Sequence, residues 1–424
     1  MTVLVQTIEL PYGNKSLRFE LEAEAQVTQA TLNTLPEIDL DGELKKALDR
    51  PIGSQPLEEL AKGLGSVLLI CDDNTRPTPA HLILPSVIER LRAAGVALEN
   101  IAILIAGGSH RPMTEEELEA KVGSEVYPSV QVLNHEFDNK DKLVHLGETK
   151  NGTPIWINKM VFDADLVLGI GGIVPHRYCG WSGGGKIIQP GVCGEDTTIA
   201  THLMITKDES ITLGNIDNPV RKEIDDIALR AGLKFIVNAI LDANQRIVGL
   251  VAGDPIKAHR EGVELAKKVY GVPLKQADLV VTSSFPADLN FWQAGKALYS
   301  ADLAVKTGGT IILVTPAIEG PGEHLEFLTL MAKPYDEILS LVDRDEVQDK
   351  IGAAGALAVA IVKQRAQVKI VSDGLTDEQV EWMGFRRYNS DALQTAVLDA
   401  LANLGENPTI NVIHEGAEIL PLID

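Results

Sequence analysis

Short runs of aliphatic and β-branched residues alternate with amphipathic helical stretches along most of this chain. IAILIA (101–106) is apolar throughout, and SVLLIC (66–71) and DLVLGI (165–170) are apolar after their first residue, the pattern of strands covered on both faces. Helical patterns lie between and after them, around 80–94, 194–205 and 219–231, with FIVNAIL and RIVGLVAG following. Thr114 and Glu117 stand three apart ahead of a helical pattern, as in a capping box. The first 20 residues differ: TVLVQTIEL and SLRFELE flank PYGNKS and predict a hairpin. The helix ending at Val269 is followed by GVPLKQAD, a Gly/Pro-containing connector. A second α/β series then runs through LVVTSS, TIILVT and VKIVSD.

This alternation predicts an α/β protein of two domains with mainly parallel sheets and an active-site cleft between them. The boundaries are set at 1–272 and 273–406. TINVIHEG (409–416), within the closing segment 407–424, is expected to return to the first domain as a strand.

Charge narrows the function. The formal net charge of -22 argues against nucleic acid and anionic lipid as partners, since both reward basic surfaces. A small anionic substrate stays open, because a few cations can set the field inside one site. No apolar run approaches the ~20 residues of a membrane helix, and the opening MTVLVQTIELPYGNKS lacks a signal peptide's basic start. Cys71, Cys179 and Cys193 show no CxxC spacing. A reducing cytoplasm is therefore the expected location.

Candidate chemistry gathers after the strands, where open parallel sheets collect ligands. SVLLIC runs into DDNTRP, IAILIA into GGSHRP, and DLVLGI into GGIVPHRYCGWSGGGK. In the second series LVVTSS leads to FPADLNFWQAGK, and TIILVT to PAIEGPGEH. Any one such loop is an ordinary turn; five together point to a shared site. Within the longest, His176 and Lys186 flank Gly180, Gly183, Gly184 and Gly185, and glycines let backbone amides approach a ligand. Gly180 to Lys186 also fits G-x-x-x-x-G-K, but Ile187 stands where a P-loop needs Ser or Thr, so a nucleotide-dependent enzyme is only the lesser rival. Gly169–Gly172 is not a dinucleotide fingerprint.

Taken in order, PIGSQPLEELAKG, DDNTRPTP, GGSHRP, PHRYCGWSGGGK, the Pro190–Val192 stretch with His202, and NFWQAGK resemble the nickel-dependent lactate racemase family over nearly the whole chain. The resemblance implies racemisation or epimerisation of 2-hydroxy acids. It implies a nickel-pincer nucleotide, a pyridinium-3,5-bisthiocarboxylic acid mononucleotide, joined to Lys186 through a thioamide, with Gly183–Gly185 around it. His202 would be the protein ligand to nickel, a metal that accepts imidazole and soft sulfur donors. His110 and His176 would be paired acid/base residues. Asp73, Arg76, Trp292, Gln293 and Lys296 would surround the substrate, Arg76 and Lys296 as partners of its carboxylate. Hydride removal suits this substrate because its carboxylate disfavours a carbanion at carbon 2. Separate maturation enzymes would supply the cofactor. Oligomeric state stays open.

The chain also departs from the family's lactate-acting member. Gly185 replaces an arginine, Arg177 and Tyr178 replace two phenylalanines, and Trp292 replaces a tyrosine. A pocket tryptophan has no counterpart in KIGAAGALAVAIV (350–362). These changes predict a roomier, more polar pocket for a substrate larger than lactate, with Arg177 facing a second carboxylate or a sugar acid. The alternative from another class is a protein that holds the nickel nucleotide without turnover.

Overall fold

Val67–Asp72 is buried at every residue because it runs through the middle of a six-stranded sheet. The computed structural model describes residues 5–405 and 407–423, and the described chain divides into two units. In the unit spanning Thr34–Val269 the strand order is Ile247–Gly253, Leu233–Leu241, Leu166–Gly172, Val67–Asp72, Ile101–Ala106, Gln131–Asn134. All neighbours pair in parallel except the first two. Side chains alternate between the faces. Val67, Leu69 and Cys71 enter one apolar core with the Ala80–Ala93 helix. Leu68 and Ile70 enter another with Ile227, Ala228 and Ala231 of the Pro219–Ala231 helix. That helix follows its local signals: Asn218 caps Arg221 N at 2.9 Å, proline opens it, and left-handed Gly232 closes it. The capping box at Thr114 and Glu117 is present.

The chain winds from Val67–Asp72 outward through two strands, then returns to the strand's other side at Leu166–Gly172. This reversal is a topological switch point, and the loops leaving these two strands diverge there to leave room for a ligand. They are DDNTRP and the 173–186 segment.

The other unit holds Tyr270 onward together with the described residues through Asn33. Its six strands, all parallel, run Arg386–Tyr388, Gln367–Val371, Val305–Val314, Ala277–Ser283, Thr409–Ile413, Gln26–Ala30. The hairpin forms as Val5–Tyr12 against Lys15–Glu22; residues 2–4 of its predicted first strand lie outside the described residues. Ile8, Leu10, Phe19 and Leu21 from the hairpin share a core with Leu279, Ile312 and Val371.

Two expectations are corrected. The opening segment packs with the later unit instead of the domain that follows it in sequence. The Thr409–Ile413 strand does not return to the first domain: it fills the place between Ala277–Ser283 and Gln26–Ala30. Both follow from one pairing, which needs an edge strand from the start of the chain and a neighbour from its end.

Candidate active site

Asp73 is the anchor at the switch point. Its carboxylate is buried, and it accepts a bond from Thr75 Oγ1 on Oδ1 at 2.6 Å and one from His110 Nδ1 on Oδ2 at 2.6 Å. Arg76 donates to Thr75 Oγ1 at 2.9 Å, which turns that hydroxyl's own proton toward Asp73. Burial alone would raise the Asp73 pKa. The His110 hydrogen bond, the charge of that ring when it is protonated, Arg76 and Thr75 outweigh it, and the carboxyl is held well below its ordinary range. A carboxylate can only accept here, so His110 Nδ1 carries the proton and the ring's lone pair lies on Nε2. Buried Lys121 ties the loop beneath: its Nζ donates to the Asp73 and Arg76 carbonyls at 3.0 Å and ion-pairs with Asp72 at 2.7 Å.

His176 has the opposite preset. Pro175–His176 pairs with Gly180–Trp181 in a short ribbon, and His176 Nδ1 accepts from Tyr178 N at 3.3 Å and lies 3.4 Å from Cys179 Sγ. The neutral ring therefore carries its proton on Nε2. The Tyr178 ring stands between His176 and His202, with centroids 5.8 and 4.9 Å away. His202, on the Glu195–Leu203 helix, donates from Nδ1 to the Thr198 carbonyl at 2.8 Å. Its lone pair is thus on Nε2, the atom a metal would take.

Lys186 sits in a 3₁₀ turn, Gly184–Ile187. It is half-buried by surface area, yet its ammonium is sufficiently desolvated that burial leads the lowering of its pKa to about 8. Arg76 and Arg221 push the same way, against Cys179 and Asp73. The lysine thus senses both histidine clusters. No long helix follows it, so the segment lacks the strand–loop–helix form of a P-loop.

The glycines before it face protein. A methyl at Gly183 would stand 2.8 Å from Ile173 Cγ1, at Gly184 2.8 Å from His259 Cγ, and at Gly185 2.9 Å from Ala228 Cβ. Gly184 N already donates to Asn238 Oδ1 at 2.9 Å. Position 185 faces the Pro219–Ala231 helix, so glycine in place of arginine there opens no ligand pocket. Arg177 donates to the Ile211 carbonyl and is engaged by the protein.

In the later unit, Asn290 caps a short turn by accepting from Gln293 N at 3.0 Å, and Lys296 donates to Gln293 Oε1. The Trp292 ring packs edge-on against Phe327 at 5.0 Å and tilts over His324 at 4.4 Å. A methyl at Gly355 would stand 2.5 Å from Trp292 Cζ3. Within Lys350–Arg365, Gly355 thus leaves the space that the Trp292 ring fills. His324, absent from the sequence-based set, bonds Asp349 at 2.8 Å. Thr75 was legible inside DDNTRP, and His324 closes the post-strand loop PAIEGPGEH; Lys121 and Arg221 lie outside the motifs and had no signal.

Residues 12–214 match the model of the lactate racemase N-terminal domain, and 272–420 that of the lactate racemase C-terminal domain. The chain is 30% identical over 426 residues to a lactate racemase of Thermoanaerobacterium thermosaccharolyticum, covering 97% of this chain and 98% of that one. It is 35% identical over 325 residues to a lactate racemase of Lactiplantibacillus plantarum, covering 74% and 76%. The structure of the lactate racemase apoprotein from T. thermosaccharolyticum superposes with a TM-score of 0.88 at 30% identity, over 98% of this chain and 100% of the other. A Thermotoga maritima protein shares the fold, with a TM-score of 0.71 at 21% identity over 87% and 98%.

Proposed function

Because the chain belongs to the lactate racemase family, we propose that it interconverts the enantiomers, or epimers, of 2-hydroxy acids with a nickel-pincer nucleotide on Lys186. The observation that carries this reading is the opposite presetting of the two histidines: His110 offers a lone pair at Nε2 while His176 holds a proton there.

The residues suit the cofactor. Lys186 offers an amine that gives up its proton more readily than ordinary lysine, and His202 offers an imidazole donor oriented by Thr198. Among the described residues no three His, Cys, Asp or Glu side chains gather as a metal cage. His202 would be the protein's single donor, with the others supplied by the nucleotide. When bound, the cofactor would supply a hydride acceptor for carbon 2 of the substrate.

The chain's own groups handle the proton and the carboxylate. His110 Nε2 takes the hydroxyl proton, and Asp73 stabilises the imidazolium that forms. His176 holds a proton at Nε2 for the oxygen when the other enantiomer is in play. Arg76 is proposed to bind the substrate carboxylate, as is Lys296, which Gln293 steadies. Asp73 acts in this set through His110, and Trp292 through its packing next to Gln293 rather than by facing the substrate. Maturation enzymes would deliver the cofactor. The buried, unbridged Cys71, Cys179 and Cys193 support a cytoplasmic setting, and no described helix is long and apolar enough to cross a membrane.

A substrate larger or more polar than lactate now rests on polarity alone, from Tyr178, a hydroxyl-bearing ring beside His176 and His202, since Arg177, Gly185 and Trp292 face protein. Loaded protein is expected to interconvert 2-hydroxy acids, read by chiral chromatography on lactate, malate, 2-hydroxyglutarate and gluconate. A faster rate on lactate than on the other three ends the larger-substrate reading. Nickel-loaded protein inert on all four would favour a binding protein without turnover.

A further inference from the structure

Arg221 is the largest charged side chain sealed inside the Thr34–Val269 unit, with none of its surface exposed. It lies on the Pro219–Ala231 helix and reaches under the lysine-bearing loop, donating to the Trp181 carbonyl and, at 3.3 Å, to the Gly183 carbonyl. Its counter-ion is thin: Asp225 lies 3.5 Å away, is held also by Arg260 at 3.9 Å, and has its own pKa raised by burial. Arg221 Nε finds no acceptor among the described residues. A buried guanidinium with an unanswered donor and one loose carboxylate is a poor way to stabilise a fold, since an apolar side chain of similar volume commonly does as well or better. Such an arrangement is kept where it serves a site.

We infer that Arg221 is a positioning residue for Lys186: it fixes the Trp181–Gly183 backbone that presents the lysine and sets a permanent positive charge beneath it, so that the amine is held ready as a nucleophile. Other charged or titratable groups come from every side of the loop. Asp72, Asp73 and Arg76 lie at the end of Val67–Asp72, Cys179 lies within the 173–186 segment, and Asp225 belongs to the same helix as Arg221, its Oδ1 3.4 Å from where a Gly185 Cβ would be. His259 packs on Gly184 and donates from Nε2 to the Ser182 carbonyl at 2.7 Å; burial keeps it neutral, so it adds no charge. Arg221 is the cation among these whose whole side chain is spent on the loop and its own helix. Its action on Lys186 agrees with the direction in which that lysine's proton affinity is moved.

The inference rests on Lys186 as the attachment point, but its test needs no cofactor. Full-length protein without nucleotide is pulsed with acetic anhydride between pH 6 and 10, and acetylation of Lys186 is read by peptide mass spectrometry. The amine lone pair forms the C–N bond, acetate leaves, and the proton goes to solvent, so the rate follows the unprotonated fraction. In the parent the rate is expected to level off above about pH 8. Arg221→Met is expected to move that midpoint upward and slow labelling at pH 7 by at least about threefold, which corresponds to about half a pKa unit. Arg221→Lys restores the midpoint in part. Asp225→Asn, which removes the counter-charge and leaves the arginine, is expected to move the midpoint the other way and keeps the test available should Arg221→Met not fold. Two results overturn the inference: equal midpoints in the parent and a folded Arg221→Met, or a shift of the same sign in Asp225→Asn and Arg221→Met. A tuned Lys186 in a chain that never takes up nucleotide would instead count against the proposed function and leave this inference standing.

Discussion

Loaded protein carrying Asp73→Asn is expected to turn over about a thousandfold to ten-thousandfold more slowly than the parent while keeping its nickel, because the His110 tautomer inverts. Both Thr75 donors point at Asp73 Oδ1, the hydroxyl at 2.6 Å and the amide at 3.2 Å. Arg76 fixes the hydroxyl's direction by donating to its oxygen. An asparagine must therefore place its carbonyl at the Oδ1 position, which leaves its NH₂ facing His110 Nδ1. That nitrogen becomes an acceptor, the ring proton moves to Nε2, and the lone pair that takes the substrate proton is lost. The check is turnover at matched nickel content. An Asp73→Asn protein within tenfold of the parent would mean that this dyad does not set the base.

The second large effect is on stability. Lys186→Met is expected to make the cofactor-free protein more stable at pH 7, by ~1–3 kcal/mol. The lysine's folded pKa is lowered from 10.5 to about 8, chiefly by burial. At 1.36 kcal/mol per unit the full shift would be ~3 kcal/mol, and the solvent contact that Lys186 keeps reduces it. The sign follows from proton counting. Between about pH 8 and 10.5 the unfolded chain binds a proton at this lysine that the folded chain has released, so stability rises with pH across that window. Below pH 8 both states are protonated and the folded state carries the whole penalty. The advantage of Lys186→Met should thus be largest at and below pH 7, and shrink as pH rises from 8 toward 10. Urea midpoints at pH 7 and 9.5 measure it. A variant less stable than the parent at pH 7 would show that Lys186 is a packing residue and not a strained functional one.

The parts of this molecule that were legible in sequence are those encoded locally. Continuous apolar runs mark Val67–Asp72, Ile101–Ala106 and Leu166–Gly172 because strands covered on both faces need no alternation. Asn218, Pro219 and Gly232 bracket their helix by local hydrogen bonding and backbone preference. The polar ends of the strands could be located for the same reason.

What escaped depends on residues far apart in the chain. Gln26–Ala30 meets Thr409–Ile413 across nearly the whole sequence, and nothing local in either segment names its partner. Gly183, Gly184 and Gly185 also pack against Ile173, His259 and Ala228, contacts that nothing local in the sequence announces. Arg177 and Trp292 looked like pocket-shaping exchanges until Ile211 and Gly355 came into contact with them. Arg221 was an ordinary charge, and His324 only the end of a polar loop, until folding set them against the loop carbonyls and Asp349.

The most direct test of the central claim is intact mass with nickel analysis on protein co-produced with the cofactor maturation enzymes. The account predicts a mass increment on Lys186 with stoichiometric nickel, both lost in Lys186→Ala. An unmodified, nickel-free chain, under conditions that load a known lactate racemase, would contradict it.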